Sequence, residues 1–155
     1  SVYADDNESI TEESPENPES ESGRQLLEVE HLLIHNSNFE TTLVRFGGLI
    51  GEDRHPVRFL SGRDNIENPK APINLIHQVD CIGIILKIIE LNYWGETFNA
   101  VAPFHPSKEE YYTQKALAMN LALPRYNYTS SSIGKTILSN KVEQVLDYKF
   151  MRANL

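Results

Sequence analysis

Cysteine is nearly absent from this sequence: Cys81 is the single one among 155 residues, set in the apolar run "CIGIILKII". One cysteine excludes a disulfide framework and any CxxC site, and this one is expected to be buried and inert. Basic charge is missing from the first 23 residues, where Asp5, Asp6, Glu8, Glu12, Glu13, Glu16, Glu19 and Glu21 all precede Arg24. These are eight of the 22 acidic residues, and the other 14 match the 14 lysines and arginines of the chain. The formal charge of −8 therefore sits in the lead, and the body from Arg24 onward is neutral. Without a basic excess there is no footprint for a phosphate backbone, so no nucleic-acid partner is expected. No apolar run is long enough to span a bilayer, so no membrane partner is expected either. No signal-peptide pattern is visible, and a reducing cytoplasmic location is the default.

What is present is an alternation of helical and extended patterns. "SVYA" reads as the tail of a strand, and Asp5 to Pro18 as a long polar loop of the kind that is functional or disordered. "ESESGRQLLEVEHLLIHN" reads as a helix whose apolar face is Leu26, Leu27, Val29, Leu32, Leu33 and Ile34, with Glu28 and Glu30 facing away. "TTLVRFGG" is a strand ended by glycines, and "HPVRFL" a short helix with Pro56 near its first turn. "APINLIH" is a strand running into "QVDCIGIILKIIELN", a helix apolar around most of its circumference and so expected to be heavily buried. "ETFNAVAP" is a third strand. "HPSKEEYYTQKALAMNLAL" is a helix opened by Ser107 and Glu110 at capping-box spacing. "RYNYT" reads as a short strand and "SNKVEQVLDY" as a last short helix. This order predicts an α/β fold with a parallel sheet and crossover helices. Strands are few, and a parallel strand wants neighbours on both sides, so further sheet N-terminal to Ser1 is expected.

The segments in this order resemble the C-terminal half of an extended short-chain dehydrogenase/reductase of the nucleotide-sugar epimerase/dehydratase type. "SVYA" resembles the end of that family's serine strand, and "TEESPENP" its Thr-Glu-x-x-Pro loop. "LVRFGGLIG" resembles Leu-Arg-x-x-Asn-Val-Tyr-Gly, retaining Arg45 and Gly51. "INLIHQVD" resembles the Ile-His-x-x-Asp motif through His77 and Asp80. "ETFNAVAP" resembles the Tyr-Asn-Val strand, and "LSNKVEQVLDYKF" the closing Ser-x-x-Lys motif. Each motif is weak alone; six in order are specific. "SGR", "GEDRHPVRF" and "HPSKEEYY" together resemble a subgroup of bacterial epimerase-like proteins.

The resemblance implies an oxidoreductase or isomerase whose cofactor is NAD or NADP and whose small-molecule substrate is a nucleotide sugar. It implies a C-terminal part of a Rossmann-like parallel sheet plus a smaller substrate-side region, with the N-terminal βαβ half missing. In that division residues 1–53 and 71–102 belong to the sheet and 54–70 and 103–155 to the substrate side of one incomplete domain. The dinucleotide fingerprint Gly-x-Gly-x-x-Gly does not occur here, and the eight glycines are scattered. In the family it places backbone N–H groups against the pyrophosphate, on a turn that would lie upstream of Ser1. The chain alone is therefore expected to be inactive, and its partners to include that missing half. The family's homodimers suggest the helix from Gly23 to His35 as a contact surface.

The family's Tyr-x-x-x-Lys pair, in which lysine lowers the tyrosine pKa, should open the first helix. Aligning Gly23 and Glu30 places Ser22 at the tyrosine position and Leu26 at the lysine position. Sliding by two residues offers Ser20 and Arg24 but loses both anchors. No such pair stands at that helix start. Ser22 and Tyr3 are the candidate catalytic hydroxyls, Tyr3 also reading as a strand-end aromatic packed on the loop. Gly47, Gly48 and Leu49 match the turn near the nicotinamide and are candidate cofactor contacts. Arg54, His55 and Arg58 are candidate substrate contacts, since arginine's planar fork suits phosphate or carboxylate. His77, Asp80 and His105 read as structural residues. His31 and His35 lack a third ligand, so no metal site is expected. Trp94 reads as a plug at a core edge. Two other readings stay open: a non-catalytic dinucleotide sensor or scaffold, and an independent small α/β interaction domain.

Overall fold

The computed structural model describes residues 1–6 and 8–155; Asn7, within the expected acidic loop, lies outside them. In chain order the elements are β1 (Ser9–Ile10), α1 (Glu21–Ile34), β2 (Leu43–Phe46), β3 (Gly48–Ile50), α2 (Val57–Leu60) and β4 (Leu75–His77). Then follow α3 (Gln78–Leu91), β5 (Thr97–Ala100), α4 (Lys108–Ala118), β6 (Thr136–Ile137) and α5 (Asn140–Val145). The pairings are all parallel: β2 with β5, β3 with β4, β1 with β6. Parallel strands need long connections between them, and the 14-residue α3 follows β4 directly and leads on to β5, which pairs with β2. The α/β parallel architecture expected from the alternation is the one observed.

Strands β2 and β3 are one run of chain that exchanges partners at Gly47. The Gly47 N–H donates to Ala100 O at 3.0 Å, and the Gly48 N–H to Asn74 O at 2.8 Å. A Cβ on Gly47 would lie 2.7 Å from Asn74 O, and one on Gly48 2.7 Å from Leu75 Cδ2. Glycine is required at Gly47, where the Asn74 carbonyl leaves no room for a Cβ, while at Gly48 the Leu75 side chain would have to shift.

Two larger cores and a small one fill the interior. Ile76, Ile84, Ile88, Phe98, Val142 and Leu146 join β4, α3, β5 and α5. Ile50, Val57, Ile73, Leu75, Tyr111 and Ala116 join β3, β4, α2 and α4. Val2, Tyr3 and Ile10 form the third, with Leu27 and Ile137 packed on it.

Several expectations hold locally. Ser107 and Glu110 form the reciprocal capping box of α4. His77 Nδ1 accepts from the Val79 N–H and caps α3. His105 Nδ1 lies 3.0 Å from Ile73 O. Cys81 is buried. Asp80 goes beyond a helix-dipole role: fully buried, its carboxylate accepts from Tyr148 Oη (2.9 Å) and the Met151 and Arg152 N–H groups (2.7 and 3.1 Å). Gly83 permits this, since a Cβ there would lie 2.3 Å from Tyr148 Oη.

Other expectations are corrected. Helix α1 is turned: Glu30 is buried while Leu26, Val29, Leu32, Leu33 and Ile34 are exposed. The reason is electrostatic, because Glu30 must reach Arg45 on β2. Helix α3 is buried on one side alone, with Ile82, Ile85, Leu86 and Ile89 about half exposed. "SVYA" forms no strand, and "RYNYT" contributes a single bridge, Tyr126 with Ile66. Trp94 is 45% exposed and plugs nothing. The polar loop contains β1, which the sequence pattern did not mark. Among the described residues no helix is long and apolar enough to cross a membrane.

Removing the Asp80 carboxylate strands a buried hydroxyl and two N–H groups. Asp80→Ala should lose about 3 kcal/mol of unfolding free energy. Urea denaturation checks this; a loss near zero would mean the tail does not depend on that carboxylate.

Candidate functional site

A cavity of about 670 Å³ lies where α1, β2, β4 and the segment 133–137 come together. Tyr3, Leu26, Arg45, Asn99, Lys108 and Lys135 are among its walls, with Gly47 and Gly48 at the partner exchange. Strands β2 and β5 deliver Arg45 and Asn99, which are register partners. Helix α1 delivers Leu26, and the first residue of α4 is Lys108.

Arg45 is the hub. Its Nη2 lies 2.5 Å from Glu30 Oε2, its Nε 3.2 Å from both Glu30 oxygens, and its Nη2 also meets the Glu16 carboxylate. Its Nη1 donates to Tyr3 Oη at 2.6 Å. Burial pulls the Arg45 pKa down, but the bonds to Glu30, Glu16 and Tyr3 outweigh it and raise it. For Glu16 burial raises the pKa, and its bonds to Arg45 and His31 outweigh that and lower it.

The acidic lead is thus fastened inward at three places. Glu16 meets Arg45. Glu12 Oε1 accepts from the Asn99 N–H at 2.7 Å, satisfying a donor that β5 turns away from β2. Asp5 Oδ1 lies 2.5 Å from Lys135 Nζ, which also donates to the Tyr3 carbonyl at 3.0 Å.

The sequence-derived candidates do not converge on one place. Tyr3 is buried on the cavity wall, and its hydroxyl donates to Asn99 Oδ1 at 3.1 Å. Ser22 is exposed at the start of α1, its Oγ 3.2 Å from Ser20 Oγ, and does not line the cavity. Leu26, at the aligned lysine position, does line it. Gly47 and Gly48 line it too; Leu49 is exposed and does not. Arg54 lines a separate pocket of about 430 Å³ together with His77. His55 Nε2 is 3.0 Å from Tyr111 Oη, and Arg58 is exposed on α2. Among the described residues no cluster of three metal-ligating side chains occurs.

Sequence reasoning did not mark Lys108, Asn99 or Lys135 as site residues, although Asn99 lies in "ETFNAVAP" and Lys108 in "HPSKEEYY"; the three come together only in three dimensions. It also passed over a tyrosine and a lysine at the family's spacing elsewhere: Tyr111 and Lys115, on α4. Lys115 Nζ sits 5.4 Å from the Tyr111 ring centroid, but Tyr111 is buried in the second core and faces His55. The pattern "YYTQK" is a legible signal for that pair.

No family model matches this chain. It is 32% identical over 151 residues to Protein YeeZ of Escherichia coli K12, a match covering 97% of this chain and 55% of that protein. The chain spans about half the length of the curated relatives it matches. A conserved protein of unknown function from Silicibacter pomeroyi superposes with a TM-score of 0.85 at 20% identity, over 99% of this chain and 59% of that one. UDP-glucuronic acid 4-epimerase from Bacillus cereus, solved with NAD, superposes at 0.79 with 16% identity, over 97% and 52%. MoeE5, solved with UDP-glucuronic acid and NAD, superposes at 0.78 with 16% identity, over 96% and 56%. The chain has the Rossmann-like fold of the NAD-dependent epimerases and dehydratases. In length it corresponds to about half of such a protein.

The residues present do not fit a whole dinucleotide. The glycine-rich pyrophosphate turn is not in this sequence. At Gly47 and Gly48 the space a Cβ would take is filled by β4. These glycines offer backbone along one cavity edge and no cradle.

His55 is the group of this region with a clear pH signature. Burial lowers its pKa first, and the charges of Lys115 and Arg58 lower it further. The unfolded chain, with a histidine pKa of about 6.5, binds the proton more readily than the folded one. Stability from neutral His55 is complete above that value and is lost as pH falls through it towards the folded pKa. His55→Gln should therefore show a smaller drop in Tm between pH 7.5 and pH 5.5 than the parent, measured by thermal unfolding. An equal drop would assign the acid sensitivity to other groups.

Proposed function

We propose that this chain is the C-terminal, substrate-side portion of a longer NAD(P)-binding protein of the epimerase/dehydratase type, acting on a nucleotide sugar. The observation that carries this reading is the cavity at the partner exchange: a glycine edge, a buried tyrosine and a cation-lined wall in one space, at the end of a parallel strand. Ligands of open α/β sheets bind at such edges. Solved proteins of this fold hold NAD and UDP-sugars. The other half of the sheet would supply the dinucleotide's pyrophosphate turn. The exposed apolar positions of α1 support contact with that half or with a second copy, and a cytoplasmic setting fits the same reading.

Of the two candidate hydroxyls, Tyr3 has the surroundings an acid needs. It faces the cavity, and the Arg45 guanidinium donates a hydrogen bond to its oxygen. Ser22 has neither. In this reading Tyr3 holds the proton that passes to a substrate oxygen, and Arg45 steadies the charge left behind. Hydride chemistry belongs to the cofactor.

A second reading, binding without turnover, is favoured by Leu26. The cavity wall is apolar where the family's lysine would stand.

A longer protein containing this segment should change NADPH fluorescence on binding, and the 155-residue chain should not. With UDP-glucose or UDP-glucuronic acid the longer protein should turn over. Tyr3→Phe should lower that rate roughly a hundredfold while leaving NADPH affinity in place. Binding without turnover selects the second reading, and tight NADPH binding by the 155-residue chain overturns both.

A further inference from the structure

Three cations border the cavity, and two of them are spent. Arg45 is held by Glu30 and Glu16, and Lys135 by Asp5. Lys108 is different. Its Nζ donates to the backbone carbonyl of Glu67 at 2.9 Å, and among the described residues no carboxylate forms an ion pair with it. Burial lowers its pKa, and the more distant Asp5 and Glu67 charges only partly offset this. An ammonium has three donors, so two of them remain for a ligand.

Asn99 supplies an independent sign. It is fully buried on the same wall. Its backbone N–H is taken by Glu12 and its Oδ1 by Tyr3. Its Nδ2 has no partner among the described residues, the one buried side-chain atom of which this is true. Natural interiors pair such groups, and the exceptions call for a partner that the chain itself does not provide. Tyr112 adds a hydroxyl to the wall, kept protonated because burial pushes its pKa up to about 12. The cavity therefore offers unfilled donors and an uncompensated positive charge, while its carboxylates are already engaged. A neutral or cationic ligand would leave Lys108 without a counter-charge. An acceptor-rich anion answers both needs at once.

We propose that this cavity is an oxyanion site, in which Lys108 supplies the charge and the Asn99 amide donates a hydrogen bond to a phosphate or carboxylate group of the ligand. It rests on the nucleotide-sugar reading for the source of that group, which would be the diphosphate or a uronic-acid carboxylate. The site itself lies wholly within this chain.

The test is a titration of the ¹⁵N-labelled 155-residue chain with inorganic pyrophosphate, glucuronate or glucose at constant ionic strength. The Asn99 side-chain amide signals should shift saturably with at least one anion and not with glucose. The anion that binds identifies the source. Lys108→Gln should weaken binding roughly tenfold or more, and Lys108→Arg should keep it within about threefold. Lys108 is half-buried and bonded to the Glu67 carbonyl, so thermal unfolding of both variants is measured beside the titration, and retained binding by Lys108→Arg separates lost charge from lost structure. No saturable shift with either anion, an equal response to glucose, or unchanged binding by Lys108→Gln overturns the proposal. A longer protein that fails to bind NADPH defeats the nucleotide-sugar reading and leaves this site standing.

Discussion

A guanidinium on a half-buried strand sets the terms for the rest of this structure. Arg45 sits in β2, where apolar neighbours deprive it of water. Such a charge persists only when its partners are close and its donors are filled. Glu30 comes from α1, Glu16 from the acidic lead and Tyr3 from the chain's first residues. One side chain therefore fixes the rotation of a helix, the path of a loop and the seat of an aromatic ring. Leu27 packs inward beside Glu30, while Val29, Leu32, Leu33 and Ile34 are turned outward. The helix follows the requirement of a buried charge ahead of its own hydrophobic periodicity.

Backbone geometry supplies the second constraint. At Gly47 the strand leaves β5 and joins β4, and the absence of side chains lets the two ladders meet without a gap. The cavity opens at that seam. Its walls combine strand and helix residues, among them Arg45, Asn99 and Lys108, with connecting segments such as 71–74 and 133–135 that hydrogen bonds and ion pairs tie in place. That suits a site that must hold its donors in place before a ligand arrives.

The fold class was legible because it rests on local signals. The Val, Ile and Phe runs, the capping box at Ser107 and Glu110, and the β–α alternation are each contained within a few residues. The orientation of α1 was not legible. Leu26 to Ile34 read as an inward face, and only the pairing of Glu30 with Arg45, 15 residues away, reverses that reading. Helix α3 misled for a related reason, since apolar residues all round a helix describe what it can bury, not what covers it. The site was half legible. Tyr3 and the glycines were marked by motif, and both line the cavity. Asn99 and Lys108 lie in motif segments but were not read as site residues, and Lys135 lies in none, because nothing local distinguishes a lysine beside a carbonyl from one in solvent. Trp94 shows the converse: a conspicuous residue type with no structural task in the cores.

Lys135 reaches back to the Tyr3 carbonyl across 132 residues of sequence, and to Asp5 across 130. Closing a loop of that span costs more chain entropy than closing a short one, and the paired carboxylate and carbonyl must offset that cost. During synthesis the acidic lead would emerge long before the lysine that completes its anchorage, and would wait in water, kept soluble by its own charge.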